Sequence, residues 1–327
     1  MARTRRSQRP GRQKAPGVQD RALLLRRTPF GETSLVVHVL TESSGRVELI
    51  AKGAHRPKSR FSGVLDWFDT LDLEWSAPSG PEENRGRGDE LTRLRALSTL
   101  RSGDLDRRRR RITESLAAYR AAHTALELTD LATRAGGAEE GYFELLGETL
   151  DQLDASAAAS LPPSQAATQL DGLVAIPYVL ARFELRLLRA LGVEPSLLVC
   201  AACGEAAPPI RPQAGPATAI SSAPFAARAP FAPRAGGRLC ALHAEEARSA
   251  GLRVGTLPVD VLEGAHALLN GQGADFAGHA SRSPDFGERV LDFAGRFLDH
   301  QLETRPKSHA EFLGAPDRNA KRRDRTP

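Results

Sequence analysis

The sequence predicts an α+β protein in which a small closed β-barrel precedes an all-helical domain that carries an inserted metal-binding subdomain. Three observations predict it. Between Arg21 and about Thr99, short Val/Leu/Ile runs alternate with turn residues. Beyond Asp104 the apolar residues repeat at helical spacing. All three cysteines fall, with one histidine, into two close pairs, Cys200/Cys203 and Cys240/His243. The expected boundaries are residues 1–19 for a disordered basic tail, 20–101 for the barrel and 102–195 for the first helical part. Residues 196–250 are assigned to the metal-binding insertion with a Pro-rich loop, 251–314 to the second helical part and 315–327 to a disordered tail.

A chain of 327 residues has room for roughly two domains with their own cores. The tails explain its net charge of +5: residues 1–19 carry six Arg/Lys and no acid, and 317–327 carry five against Asp317 and Asp324, so the body is near −4. Positive charge on the folded part therefore matters only where it clusters. The tails hold almost no apolar residues to offset the entropy of ordering. They are read either as extra affinity for polyanions or as solubilising ends. No apolar run approaches the ~20 residues of a membrane span, and the basic N-terminus has no apolar core of a secretory signal, so the expected location is cytoplasmic. Three cysteines make no disulfide framework and point to metal chemistry in a reducing compartment.

Residues 22–27, 34–40 and 46–51 are the first three expected strands, separated by Pro29-Phe30-Gly31 and Glu42-Ser43-Ser44-Gly45 turns. Two more are expected at 70–75, where Leu71, Leu73 and Trp75 alternate with Asp72 and Glu74, and at 91–98; the Gly-, Pro- and charge-rich 78–89 between them suits a hairpin loop. Five short strands in this span fit an oligonucleotide-binding (OB) barrel, with an SH3-like barrel as the rival. The third strand leads into Lys52-Gly53-Ala54-His55-Arg56-Pro57-Lys58-Ser59-Arg60-Phe61, and no carboxylate interrupts it between Glu48 and Asp66. Four permanent cations on a Gly/Pro-punctuated loop form an anode that a phosphate backbone can use. The same residues also fit a solvated basic loop.

Helices follow. Ile112, Leu116, Tyr119 and Leu126 mark the first, with Asp104 as its cap and the Arg run 107–111 at its start, where the macrodipole disfavours cations. The second is expected over about 139–153, ended by an Ala/Ser/Pro linker at 155–163, and the third from Pro177 through Leu191. Two more are expected at 259–269 and 286–302, and Tyr119, Phe183 and Phe297 are read as core.

Cys200-Ala-Ala-Cys203-Gly204 and Cys240-Ala-Leu-His243 each place two ligands on a tight turn, with Gly204 relieving backbone strain. Together they can form a closed, structural Cys₃His zinc site, one Zn²⁺ per chain. The other reading is unligated thiols beside a chance histidine, since the 36-residue gap exceeds the usual spacing and its seven prolines predict an extended loop. His243-Ala244-Glu245 and His309-Ala310-Glu311 match half of a zinc-deaminase signature, but in the wrong order and without its Pro. A thioredoxin-like role for Cys200 and Cys203 lacks the βαβ context, and Gly271-Gln-Gly273 follows a helix, not a strand.

This order resembles the RecO family of bacterial recombination mediators. The resemblance is carried by Ala22-Leu23-Leu24-Leu25-Arg26-Arg27, Pro29-Phe30-Gly31-Glu32-Thr33-Ser34, Gly45-Arg46 and Ala51 through Ser59. It continues in Phe183-Glu184-Leu185-Arg186-Leu187-Leu188, Leu191-Gly192, Cys200-x-x-Cys203-Gly204 and Gly236-Gly237-x-Leu239-Cys240, then Leu298-x-x-Gln301-Leu302, Lys307-Ser308 and Phe312-Leu313. The resemblance implies a protein that is no enzyme in the bond-making sense: it binds single- and double-stranded DNA, anneals complementary strands and acts with RecR to load RecA onto DNA coated by single-stranded-DNA-binding protein. It implies nucleoid association, and Arg26, Arg27, Lys52, His55, Arg56, Lys58 and Arg60 become the candidate DNA-binding residues. His243 stands where zinc-bearing members often have cysteine. Barrel aromatics are few, chiefly Phe30, Phe61, Trp67, Phe68 and Trp75, which favours backbone electrostatics over stacking. The alternative is another zinc-containing OB-fold nucleic-acid-binding protein, RNA-binding or transcription-associated.

Overall fold

The computed structural model describes residues 17–76, 97–133, 141–158, 176–209, 227–271, 286–303 and 306–308. The chain divides into two compact units, Met1–Arg107 and Arg108–Pro327.

The first unit is a closed barrel of β1 (Gly17–Phe30), β2 (Ser34–Thr41), β3 (Gly45–Ala51), β4 (Thr70–Ser76) and β5 (Ser98–Arg107) in the order β1-β2-β3-β5-β4. β1 also pairs with β4, which closes it. This is the OB-like barrel. The β3–β5 pair is parallel, which a tight turn cannot join, and β4 lies within the long connection between them. The antiparallel β1–β2 and β2–β3 pairs need only short turns, where Gly31 and Gly45 take φ of 58° and 66°. Buried Asp20 fastens the second turn by accepting the Ser43 and Ser44 backbone N–H groups at 3.0 and 3.1 Å. Inside, Leu24, Val37, Val39, Leu49, Leu71, Leu73, Trp75 and Leu100 form one core, and Asp72 and Glu74 alternate outward.

The last strand differs from expectation. It spans Ser98–Arg107, whereas residues 91–96 lie outside the described residues. Only Ser98 and Leu100 of β5 are buried, so apolar alternation does not mark it; backbone pairing with β4, from Ser76↔Thr99 to Thr70↔Arg107, holds it. Asp104 is thus a strand residue and not a helix cap. The 107–111 run leaves a strand and enters a 3-10 turn, Arg111–Glu114, that includes Ile112. β5 carries the barrel unit past residue 101 to Arg107, and β1 takes in residues 17–19, which were expected in the tail. The expected 78–89 loop, residues 1–16 and the C-terminal tail lie outside the described residues.

The second unit contains α1 (Leu116–Ala132), α2 (Tyr142–Ala158) and α3 (Ile176–Ala190), followed by β6 (Arg228–Ala232), β7 (Gly237–Arg238), α4 (Ala241–Ser249), β8 (Gly255–Pro258), α5 (Val259–Leu269) and α6 (Phe286–Gln301). Ser115 caps α1, its hydroxyl accepting the Ala118 N–H at 3.4 Å. Helix α3 packs against α1, α2, α5 and α6, with Val179, Leu180, Phe183, Leu187 and Leu188 buried. Phe183 and Phe297 are core, at 1% and 2% exposure, but Tyr119 is 38% exposed. The buried stripe of α1 runs through Ala118, Ala121, Ala122 and Ala125, one position away. Helix α2 starts at Tyr142 and continues through Ala158, so residues 155–158 are helix and not linker; 159–163 lie outside the described residues.

A three-stranded sheet, β7-β6-β8, and helix α4 were not expected. Strand β6 occupies the end of the supposed Pro-rich loop and contains Pro230, and β7 is two residues long, so neither has a readable strand pattern. Residues 210–226 lie outside the described residues. The β6–β8 pairing reaches Gly255–Pro258, beyond the expected limit of residue 250.

Candidate nucleic-acid interface and metal centre

Between β3 and β4 the chain forms linked turns. Arg56 N–H donates to the Gly53 carbonyl at 3.1 Å, Ser59 to Arg56 at 2.9 Å and Ser62 to Ser59 at 3.1 Å. His55 N–H reaches the Thr33 carbonyl in the β1–β2 turn at 3.0 Å. Phe61 and Leu65 insert into the barrel core and anchor the far end. Lys52, His55, Arg56, Lys58 and Arg60 are all left exposed. Elsewhere on the barrel three arginines are neutralised: Arg21 pairs with Glu42 at 3.2 Å, Arg46 with Glu48 at 3.0 Å and Arg101 with Glu74 at 3.5 Å. Among the described residues, Lys52, Arg56, Lys58 and Arg60 have no carboxylate partner.

A register shift between Leu24 and Arg26 leaves Leu24 and Leu25 buried and Arg26 and Arg27 exposed. Arg27 Nη1 donates to the Leu65 carbonyl at 3.1 Å, and its guanidinium carbon lies 4.8 Å from the centre of the Trp67 ring. Arg27 is therefore beside the end of the basic loop. Of the barrel aromatics, Phe61, Phe68 and Trp75 are buried, whereas Trp67 and Phe30 are half-buried.

In the second unit, the ligand atoms of Cys200, Cys203, Cys240 and His243 all lie within 4.8 Å of one another. The first pair sits on a turn closed by Gly204 N–H to the Cys200 carbonyl and Cys200 N–H to the Glu205 carbonyl, both at 2.8 Å, and Gly204 takes φ of 74°. The second pair sits at the start of α4, with Cys240 as its N-cap. His243 Nδ1 is 3.6 Å from Cys200 Sγ and 3.1 Å from Cys240 Sγ. Its Nε2 faces Glu246 at 3.7 Å, which favours the tautomer that presents Nδ1 to the sulfurs. Burial alone would push the Cys200 thiol up, but the backbone N–H groups of Cys240, Cys203 and Ala202, with the Cys203 side chain, lower it to about 6. The thiolate, the form that binds metal, is thus favoured at neutral pH. For Cys203 the Glu205 N–H pulls down, while desolvation and the Cys200 and Cys240 sulfurs prevail and raise it. Three thiols and an imidazole this close fit a four-coordinate metal and leave no open position for a reacting water. Glu245, the deaminase-like acid, pairs with Arg248 at 3.2 Å instead of facing the cluster, and His309 lies outside the described residues.

Two residues support the cluster: Gly237, which the sequence marked only as part of the family resemblance, and Arg238, which it did not single out. Gly237 has φ of 143°, and a Cβ there would lie 2.4 Å from the Ser196 carbonyl oxygen. Buried Arg238 donates to the Leu197 and Ala207 carbonyls on either side of the Cys200 turn, and its own backbone carbonyl accepts Ala201 N–H at 2.8 Å. Burial lowers the Arg238 pKa, against an opposing pull from Glu263.

The family described as Recombination protein O N terminal matches residues 17–85, and that described as Recombination protein O C terminal matches residues 113–310. The chain belongs to the RecO family. It is 33% identical over 288 residues to the DNA repair protein RecO of Anaeromyxobacter sp. (strain K), covering 86% of this chain and 91% of that one. The RecO of Anaeromyxobacter dehalogenans is 34% identical over the same shares. A Salmonella dublin RecO is 33% identical over 188 residues, 57% of this chain and 62% of its own. The RecO N-terminal match takes in β1 to β4 and the basic loop, and the RecO C-terminal match takes in the Cys₃His cluster.

The RecO C-terminal match also contains a cleft of about 1410 Å³, remote in chemistry from the metal cluster. Leu116, Phe231, Phe293 and Phe297 line it. Arg120, Arg234 and Arg253 stand in its walls and, among the described residues, pair with no carboxylate; Glu288 and Asp292 line it too, Asp292 pairing with Arg296 at 2.9 Å.

Proposed function

We propose that this RecO-family protein binds single- and double-stranded DNA through Arg26, Arg27, Lys52, His55, Arg56, Lys58 and Arg60, and anneals complementary strands. The observation that carries this reading is the uncompensated charge of an ordered loop: four exposed cations without carboxylate partners among the described residues, on a barrel where Arg21, Arg46 and Arg101 are paired. Two phosphate backbones repel each other, and a cationic surface that holds one strand while admitting the other lowers that barrier. No covalent bond is made or broken. A single structural zinc on Cys200, Cys203, Cys240 and His243 would hold the insertion together.

The family likeness supports partnership with RecR in loading RecA onto DNA coated by single-stranded-DNA-binding protein, in a cytoplasmic, nucleoid-associated setting. Among the described residues no helix is long and apolar enough to cross a membrane. The acidic tail of single-stranded-DNA-binding protein would suit the arginine-walled apolar cleft of the second unit.

The deciding experiment is annealing of complementary strands followed by fluorescence, with a pulldown scored for both protein partners. The full chain should accelerate annealing, and the quadruple alanine variant of Lys52, Arg56, Lys58 and Arg60 should not. Tight binding without acceleration would mark a plain nucleic-acid binder. Charge reversal at Arg120 and Arg253 should weaken capture of single-stranded-DNA-binding protein and leave DNA affinity unchanged; undiminished capture would remove the cleft from this reading.

A further inference from the structure

Arg27 is held by two contacts, whereas among the described residues Arg60 of the loop has a ring contact alone, its guanidinium carbon 5.0 Å from the centre of the Phe61 ring. The in-plane edge of Arg27 donates to the Leu65 carbonyl at 3.1 Å, and one face lies over the Trp67 indole at 4.8 Å. The indole is fixed in turn, half-buried against the barrel core. The next residue, Phe68, has its ring buried and a φ of 70°, a conformation a bulky side chain adopts only when its surroundings impose it. The backbone immediately after Trp67 is thus held against its local preference. Arg27 itself is exposed.

We propose that Arg27 and Trp67 form a base-stacking platform that makes the barrel prefer single-stranded to double-stranded DNA. This rests on the DNA-binding reading above and adds its discriminating residue pair. A guanidinium is planar, delocalised and weakly hydrated, and it stacks on π faces while keeping its charge. A base in a duplex has both faces covered by its neighbours, whereas a base in a single strand offers one to the protein. The platform follows directly on the basic run: Lys52 through Arg60 neutralise the backbone, and Leu65 and Trp67 lie at the end of the same connection. Phe61, Phe68 and Trp75 are buried in the core and cannot take this role.

The test uses the full chain and three probes of equal length: a thymidine single strand, a duplex and an abasic single strand. Arg27→Lys keeps the charge and loses the plane, and Trp67→Leu removes the support. Each should weaken binding to the thymidine strand about tenfold, as expected for one lost stacking contact. Affinity for the duplex and the abasic strand should stay within about twofold of wild type, as should the salt slope for Arg27→Lys. The chain has two tryptophans, and Trp75 is buried, so single-strand binding should change tryptophan emission and Trp67→Phe should abolish that change. Equal losses on all three probes would make Arg27 a phosphate contact or a structural tie and overturn the platform. Unchanged thymidine-strand binding by both variants would overturn it as well, with the DNA-binding reading intact. A wild-type chain that binds none of the probes would overturn both.

Discussion

A cation contributes to DNA binding only where no neighbour has neutralised it, and that separates the arginines of this barrel. Arg21, Arg46 and Arg101 have carboxylate partners; Lys52, Arg56, Lys58 and Arg60 have none among the described residues. Replacing any one of the latter by Ala should lower the log–log salt slope of binding by about 0.7 on single strands and about 0.9 on duplex, without altering sequence preference. Titrations over a salt series check this, and an unchanged slope in the quadruple variant would remove the loop from the interface. Arg109 should behave in the opposite way. It is buried, with Nε donating to Asp151 at 2.6 Å, so Arg109→Ala should cost about 3 kcal/mol of stability, seen as a lower Tm, and leave the salt slope alone. The unbroken loop charge was legible in the sequence. The pairing was not, because Arg21 and Glu42, or Arg101 and Glu74, meet only through strand register.

At the scale of the element, the Cys₃His cluster is drawn together by a clasp outside its four side chains. The CxxC turn and the start of α4 come from distant parts of the chain and are joined by Gly237, which bridges Ser196, and by Arg238, which spans the Cys200 turn. Gly237→Ala keeps all four ligands, yet its Cβ would overlap the Ser196 backbone, with the nitrogen 2.7 Å away. Wild type should retain about one zinc per chain through gel filtration, and Gly237→Ala and Cys240→Ser should both lose metal and melting temperature. DNA affinity per folded molecule should be unaffected in each. Stoichiometric metal in Gly237→Ala would show that the clasp is dispensable. The ligand spacing was readable as two x₂ pairs. The clasp was not, since its two-residue strand and the proline-containing strand beside it carry no period.

On the scale of the whole molecule, charge is separated between a basic N-terminal segment and a body near −4. The six cations of residues 1–16 could hold an incoming strand while the barrel loop holds the other. Deletion should stop at residue 16, because Gly17 already pairs with Ser76 in the barrel. That truncation should slow annealing at physiological salt and leave equilibrium binding of a short single strand unchanged. Rising salt should erase the difference, since exposed charges are screened beyond about 8 Å. Equal annealing rates across the salt series would assign the second strand to the barrel. The sequence by itself determined the apolar runs of the first four strands, the positions of most helices, the loop charge and the Cys/His quartet, because each is a local pattern of residue types. Tertiary structure alone decided where the barrel ends. A strand such as Ser98–Arg107 is held by backbone hydrogen bonds to β4, which no side-chain period records. It also decided which cations remain unpaired and which tryptophan supports Arg27, since these depend on the contacts made when distant segments pack.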